Sequence, residues 1–388
     1  NHVVNATSTM VVGAETINKP GSIFMVKDSN QNFLRVHKWI PTPNPSVNND
    51  YFFIPSVKKA PDGSIYLGGR HAGQVDFDPG SGTDIAGTTG NGSEAFFIKL
   101  NSTGDYLWNK RIQLVNPSVG LIDIGSSMIG AGGNLWSVGR FRASADFDPG
   151  AGTSILNAPV TGGDGFVLVL DTAGNFVSVK EMDNAELGNI QPLPAGGKLI
   201  TGKYTTAINV ELNGGTPVLL QPGSGFVTFF LAAYDNADDL LWSKPLYGYN
   251  SILTDIDANG DVYVFSAIED SAQLGTSTIP ITRGGSDLVL QKFNGNNGNE
   301  IWTHMIQGSA YENAYSLKWA NNACYVTYSY IDSLDVPAIA PDTSFYDPNK
   351  TQNFGLSIFH DLTSSHLASY TLNPDSIINY GQNLIVTG

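Results

Sequence analysis

Apolar residues in this chain come in short runs, each closed off by Gly, Asn or Asp, and the runs recur in one order. Ala95-Phe96-Phe97-Ile98-Lys99-Leu100 and Gly165-Phe166-Val167-Leu168-Val169-Leu170 are apolar almost throughout, which points to strands covered on both faces. Each is preceded by a pair of runs around a tight turn. In one copy these are residues 54–59 and the run from Ile65, joined by Asp62-Gly63; in the next they are residues 121–129 and the run from Leu135, joined by Gly132-Gly133-Asn134. Such turn residues tolerate the positive φ that a hairpin demands. A fourth run follows, at residues 106–112 and 176–182.

Aligning the chain with itself puts Ile65, Leu135, Leu199, Val262, Cys324 and Leu384 in one column, spaced 70, 64, 63, 62 and 60 residues apart. A four-stranded unit at that period predicts an all-β fold, a six-bladed β-propeller of four-stranded blades. The blades fall at 41–113, 114–182, 183–247, 248–306 and 307–372, within one domain, 1–388. The sixth is a composite of 373–388 and 1–40, so that both termini close the ring. In it, residues 377–380 and 384–387 supply the first two strands, residues 3–12 the decorated loop, and residues 21–27 and 33–38 the last two strands. Closure removes open sheet edges.

The fourth runs carry a column of His37, Lys110, Lys180, Lys244 and His304, broken only by Tyr370. Basic side chains on an outer edge strand read as protection against pairing with another chain. Trp108, Trp242 and Trp302, two residues earlier, read as packing anchors between blades.

Composition sharpens this picture. The 388 residues include 43 Gly and 20 Pro spread along the whole length, which suits many short strands rather than long helices. A net charge of −15 disfavours nucleic acid and anionic membrane as partners, and no apolar run is long enough for membrane insertion as a helix. Cys324, the single cysteine, sits in an apolar run and reads as an inert core thiol. No signal peptide stands at the start, so any such peptide has been removed or omitted.

The long loop between second and third runs holds Val75-Asp76-Phe77-Asp78-Pro79-Gly80-Ser81-Gly82-Thr83 in one copy and the matching stretch from Ala145 to Thr153 in the next. With the apolar runs that follow, these elements resemble the SBBP-type β-propeller repeats of secreted and cell-surface proteins of the Bacteroidetes. The match is strong over residues 55–182 and decays beyond, where the Asp-Phe-Asp-Pro-Gly element is absent. The resemblance implies an extracellular or cell-surface protein, cargo-like for type IX secretion. Such proteins usually carry a C-terminal sorting domain, and the chain stops inside the last repeat instead. The resemblance supplies no catalytic residues. It does imply O-glycosylation at Asp-Ser/Thr before an apolar residue, which marks Thr172, Ser271, Ser333 and Ser376.

Candidate chemistry is sparse. Asp76, Asp78 and Asp84, with Asp146 and Asp148 in the twin loop, offer oxygens to Ca²⁺, the one cofactor in view. The competing and stronger reading is a Pro-Gly turn whose aspartates accept from backbone N–H groups. The six histidines show no zinc spacing, and nucleophile and phosphate-loop motifs are absent. No catalytic residue is therefore assigned. The expected function is a non-catalytic binding module for a protein or glycan partner at the cell surface. The rivals are a glycan-active enzyme using carboxylates at the propeller mouth, and a purely structural module of a surface assembly.

Overall fold

The computed structural model describes residues 2–6, 10–12, 15–17, 21–27, 33–42, 50–88, 90–223, 227–247, 251–268, 273–274, 277–278, 285–336, 343–346, 352–360 and 366–372. Its regular structure is all β apart from one 3₁₀ turn at Ala131–Gly133. The chain forms two compact units: one holds residues 1–192, 198–203 and 208–219, the other 193–197, 204–207 and 220–388.

In the first unit, copy one is an antiparallel meander of Tyr51–Lys59, Ile65–Ala72, Glu94–Leu100 and Tyr106–Leu114. Copy two repeats it with Leu121–Ile129, Leu135–Asp146, Asp164–Leu170 and Phe176–Met182. The third strands are buried along their whole length, as their unbroken apolar pattern requires. Gly69 and Gly139, in the second strands, lie so close to the main-chain carbonyls of Phe53 and Asp123 that a Cβ would collide with them. In the second unit, copy four is Leu253–Ile256, Val262–Ile268, Asp287–Phe293 and Glu300–Gly308. Copy five is Asn313–Ala320, Ala323–Ile331, Gln352–His360 and His366–Leu372. Copy three is divided: Ala185–Pro192 and most of Lys198–Tyr204 fall in the first unit, and Thr228–Tyr234 and Leu240–Leu246 in the second.

One irregularity shows how closely the copies agree. The pairing of third and fourth strands shifts register at Lys99/Leu100, Val169/Leu170, Ala233/Tyr234, Lys292/Phe293 and Ile358/Phe359, and again at Val26/Lys27 near the N-terminus. Gly21–Lys27 and Phe33–Trp39 are thus a further hairpin of the same kind. The strand beside Gly21–Lys27 is His2–Ala6, with Val4 opposite Ile23. Sequence pattern placed that segment in a decorated loop; it pairs as a strand instead, and β-branched Val3 and Val4 favour the extended backbone this requires. The expected C-terminal strands at 377–380 and 384–387 lie outside the described residues.

The cores lie between successive copies. Phe24, Trp39, Phe52, Leu67, Phe77 and Phe96 pack together between the N-terminal hairpin and copy one. Tyr66, Phe97, Ile124, Phe141, Phe147 and Phe166 do so between copies one and two. Cys324 is buried with Tyr263, Leu290 and Phe359 between copies four and five.

The basic column on the fourth strands does not simply guard an edge. Each of these side chains reaches the following copy. His37 Nε2 donates to the Gly104 carbonyl at 2.6 Å, and Lys244 Nζ donates to the Gly298 carbonyl at 3.3 Å. Lys110 packs against Gly174, and Lys180 donates to Asn213 at 3.5 Å. Gly104, Gly174 and Gly298 all have positive φ in the third-to-fourth hairpin. The tryptophans do act as anchors: Trp242 Nε1 donates to the Gly295 carbonyl at 2.7 Å.

Candidate functional site

The two Asp-Phe-Asp-Pro-Gly elements fold as twin turns. Asp76 accepts from the backbone N–H groups of Asp78 at 3.2 Å and Asp84 at 2.8 Å, and Asp78 accepts from Gly80 at 2.8 Å. Asp146 accepts from Asp148 at 3.1 Å and Ser154 at 2.8 Å, and Asp148 accepts from Gly150 at 2.7 Å. The Asp84 carboxylate accepts from the Tyr106 hydroxyl and the Asn109 amide. Phe77 and Phe147 are buried and pin each turn to the core through Phe96 and Phe166.

Copy three contains the same turn without the motif. Asn209 accepts from the N–H groups of Glu211 at 3.1 Å and Val218 at 3.0 Å, Glu211 accepts from Asn213 at 2.7 Å, and the buried Val210 stands in for the phenylalanine. The sequence comparison missed it because only the acceptor role is kept, not the residue type.

A second repeated feature was also missed. The first residue of the third strand is a buried acid in copies one, two and four: Glu94, Asp164 and Asp287. Each accepts from a backbone N–H at or just past the end of the fourth strand: Leu114 at 3.3 Å, Asn184 at 2.6 Å and Gly308 at 2.9 Å. What faces the acid differs. In copy one Arg111, cross-strand from Phe96, lies 3.9 Å from Glu94. In copy two the corresponding residue, cross-strand from Phe166, is Glu181, and in copy four it is Met305, cross-strand from Val289.

Asp164, Glu181 and Asp183 consequently form a carboxylate group whose oxygens lie within 4.8 Å of one another, the one such group of three among the described residues. Burial, and then the charges of Asp164 and Asp183, push the Glu181 carboxyl up to about 7. Its Oε1 is buried with no hydrogen-bond partner. Three oxygens of this kind are what a hard divalent cation takes, and a proton on Glu181 relieves the same repulsion.

A row of alternating charges runs across the first and second strands of copies one, two and three. Arg70 Nη1 donates to Asp123 at 2.8 Å, and Arg140 lies 3.8 Å from Asp123 and donates to Glu186 at 2.7 Å. Lys203 is 3.1 Å from Glu186. The cations come from second strands and the carboxylates from first strands, so the row runs through copies one, two and three. Burial raises the Asp123 carboxyl against the pull of Arg70 and Arg140. At Glu186 burial pushes the same way, but Lys203 and Arg140 overcome it and hold that carboxyl low. The side chains stay 22% to 43% exposed. At one end of the row the Arg70 guanidinium lies over the rings of Tyr51 and Phe53, 5.5 and 5.7 Å from their centroids.

Of the modification candidates, Thr172 is exposed in a hairpin turn, though its carbonyl accepts from Lys99 Nζ at 2.9 Å. Ser333 lies in Ser333–Val336 with its hydroxyl 3.0 Å from that of Ser309. Ser271 and Ser376 lie outside the described residues. No helix among the described residues is long and apolar enough to cross a membrane.

No protein-family model matches the chain. No curated protein matches it either. Among solved structures, a Dos1 propeller aligns over 82% of this chain and 61% of its own, with 12% identity and a TM-score of 0.36. The quinohemoprotein alcohol dehydrogenase ADHIIG of Pseudomonas putida HK5 aligns over 72% of this chain and 44% of its own, with 12% identity and a TM-score of 0.31. The chain thus spans less than two thirds of the length of either.

Proposed function

We propose that the protein is a propeller-type, non-catalytic binding module, and that the charge row of the first unit, with Tyr51 and Phe53 at its end, is where it meets a protein or glycan partner. The observation that supports this is a row of five paired charges left part-exposed beside aromatic rings, a surface that offers directional hydrogen bonds and flat apolar contact together. Copies of one blade, with the same register shift in six hairpins, support six blades. The ring is closed by the N-terminal hairpin together with the C-terminal residues. The resemblance of the twin-turn repeats to SBBP-type proteins supports a place outside the cell or on its surface. Within this reading Thr172, Ser271, Ser333 and Ser376 are acceptors of O-linked glycan, and the twin aspartate loops stay open to Ca²⁺.

The test is a binding screen against polysaccharides and surface proteins, repeated with Phe53→Ala, at an exposed position, and Lys203→Ala, at a part-exposed one. Each substitution is expected to weaken binding by about 10-fold while leaving the melting temperature in place. Turnover of a glycan, abolished by one Asp or Glu substitution, would instead make the protein an enzyme.

A further inference from the structure

We propose that Asp287 and Glu312, at the junction of copies four and five, form a buried acid pair that keeps one proton at neutral pH, and that losing this proton releases the connection between the two copies. Both residues are fully buried. Asp287 makes the bonds of an ionised carboxylate: it accepts from the Gly308 N–H at 2.9 Å and from the Gln307 amide at 3.3 Å. Neither oxygen of Glu312 has a hydrogen-bond partner. Its carboxyl lies hard against Gly308, where a Cβ would collide with it. An ion there is buried, with no hydrogen bond to either oxygen and a negative neighbour, which favours the neutral acid.

Among the described residues, what faces the pair is mostly polar and neutral or acidic. The third strand of copy four contributes Asp287, and its fourth strand contributes Gln307 and Gly308. The connection contributes the Ala310 amide, and Ser286, just before the third strand, contributes its hydroxyl, which donates to the Glu312 carbonyl at 2.9 Å and accepts from the Glu312 N–H at 3.0 Å. Asp335, cross-strand from Gln307, adds another carboxylate on the neighbouring ribbon. Burial first, then the Asp287 charge, push Glu312 up to about 8, against a weaker opposing pull from the Ala310 amide.

The sign follows from linkage. Between the ordinary carboxyl value and about 8 the folded chain holds a proton that the unfolded chain has lost, so stability falls as pH rises through that window. Above it Glu312 ionises in place, and two like charges face each other across Gly308. The contacts strung along residues 308–312 are then under load: the Ser286–Tyr311 bridge and the bond from the Ser309 N–H to the Ser333 carbonyl at 3.2 Å.

Hydrogen exchange of the full chain tests this, followed in peptides covering residues 306–314 from about pH 6 to about pH 10 and corrected for intrinsic rates. The wild type is expected to lose protection in that segment in one step near pH 8, ahead of the rest of the chain. Glu312→Gln, which mimics the protonated acid, should abolish the step. Asp287→Asn, which keeps an acceptor for Gly308, should move it to lower pH. A wild-type profile with no step, or the same step in Glu312→Gln, overturns the proposal. So does protection restored at alkaline pH by millimolar Ca²⁺, which would make the pair a cation site.

Discussion

Asn209 does with an amide what Asp76 and Asp146 do with carboxylates, and the backbone around all three adopts the same turn. The turn therefore needs an acceptor rather than a charge. Asp146→Asn is expected to leave stability to urea unchanged, whereas Asp146→Ala strands two backbone N–H groups and should cost about 2 kcal/mol. If Asn is as damaging as Ala, or if excess Ca²⁺ raises the melting temperature and Asp148→Ala removes that rise, charge or metal matters after all. His71 makes a second case. It sits where copy two has Phe141, packed edge-on to Phe77, with Nε2 buried and unpartnered. Burial lowers its pKa to about 4, against the raising effect of the Gly73 carbonyl. The unfolded chain then binds the extra proton between about 4 and 6.5, so stability is complete above that window and drains away as pH falls through it. The slope is about 1.4 kcal/mol per pH unit, and His71→Phe should remove this share of the acid sensitivity. An unchanged acid limb in the variant would place the sensitivity elsewhere. The twin turns were legible in sequence because copies one and two both keep Asp-Phe-Asp-Pro-Gly, while copy three reaches the same turn with Asn209, Val210 and Glu211 and so left no matching motif. The acids at Glu94, Asp164 and Asp287 were not, because what marks them is the neighbour across the strand, Arg111, Glu181 or Met305, and cross-strand neighbours are fixed only by register.

At the scale of the element, the fourth strand is the piece whose meaning changed most. Its basic column was plain in the sequence, but a lysine on an edge strand reads the same whether it faces water or the next hairpin. Lys244 faces the Gly298 carbonyl and lies over the Phe293 ring. Lys244→Met keeps the apolar stem and loses the donor, and should cost about 1 kcal/mol, with little dependence on salt. A strongly salt-dependent loss would favour long-range charge instead. The inner strands behave differently. Arg140 bridges Asp123 and Glu186, so Arg140→Ala leaves two part-buried carboxylates facing each other and is expected to cost about 2 kcal/mol. Denaturant melts at low and high salt would show the loss shrinking as salt screens that repulsion, and a loss that does not shrink argues for packing alone.

For the molecule as a whole, the strands and their period were readable because burial on both faces writes an unbroken apolar run, and tight hairpins write Gly and Asn. The division into two units left no such mark, and the N-terminal strand His2–Ala6 was too short to announce itself beside the longer runs. Closure of the ring is the open structural proposal at this scale. Removing residues 376–388 is expected to cause aggregation or a large fall in melting temperature, since apolar strands would lose their neighbours. A truncated chain that stays monomeric and melts like the parent would leave the ring without its closing blade. The link between copies has a consequence of its own. At two joints a basic side chain from the last strand meets a glycine carbonyl on the next hairpin, His37 on Gly104 and Lys244 on Gly298, while Lys110 packs against Gly174 and Lys180 reaches Asn213 instead. Histidine and lysine both fill the donor's part, at His37 and Lys244. That tolerance lets the copies drift apart in sequence at the joint while the apolar residues packed between them carry the fit, so grafting a copy from one position to another means matching both the donor and the core it packs against.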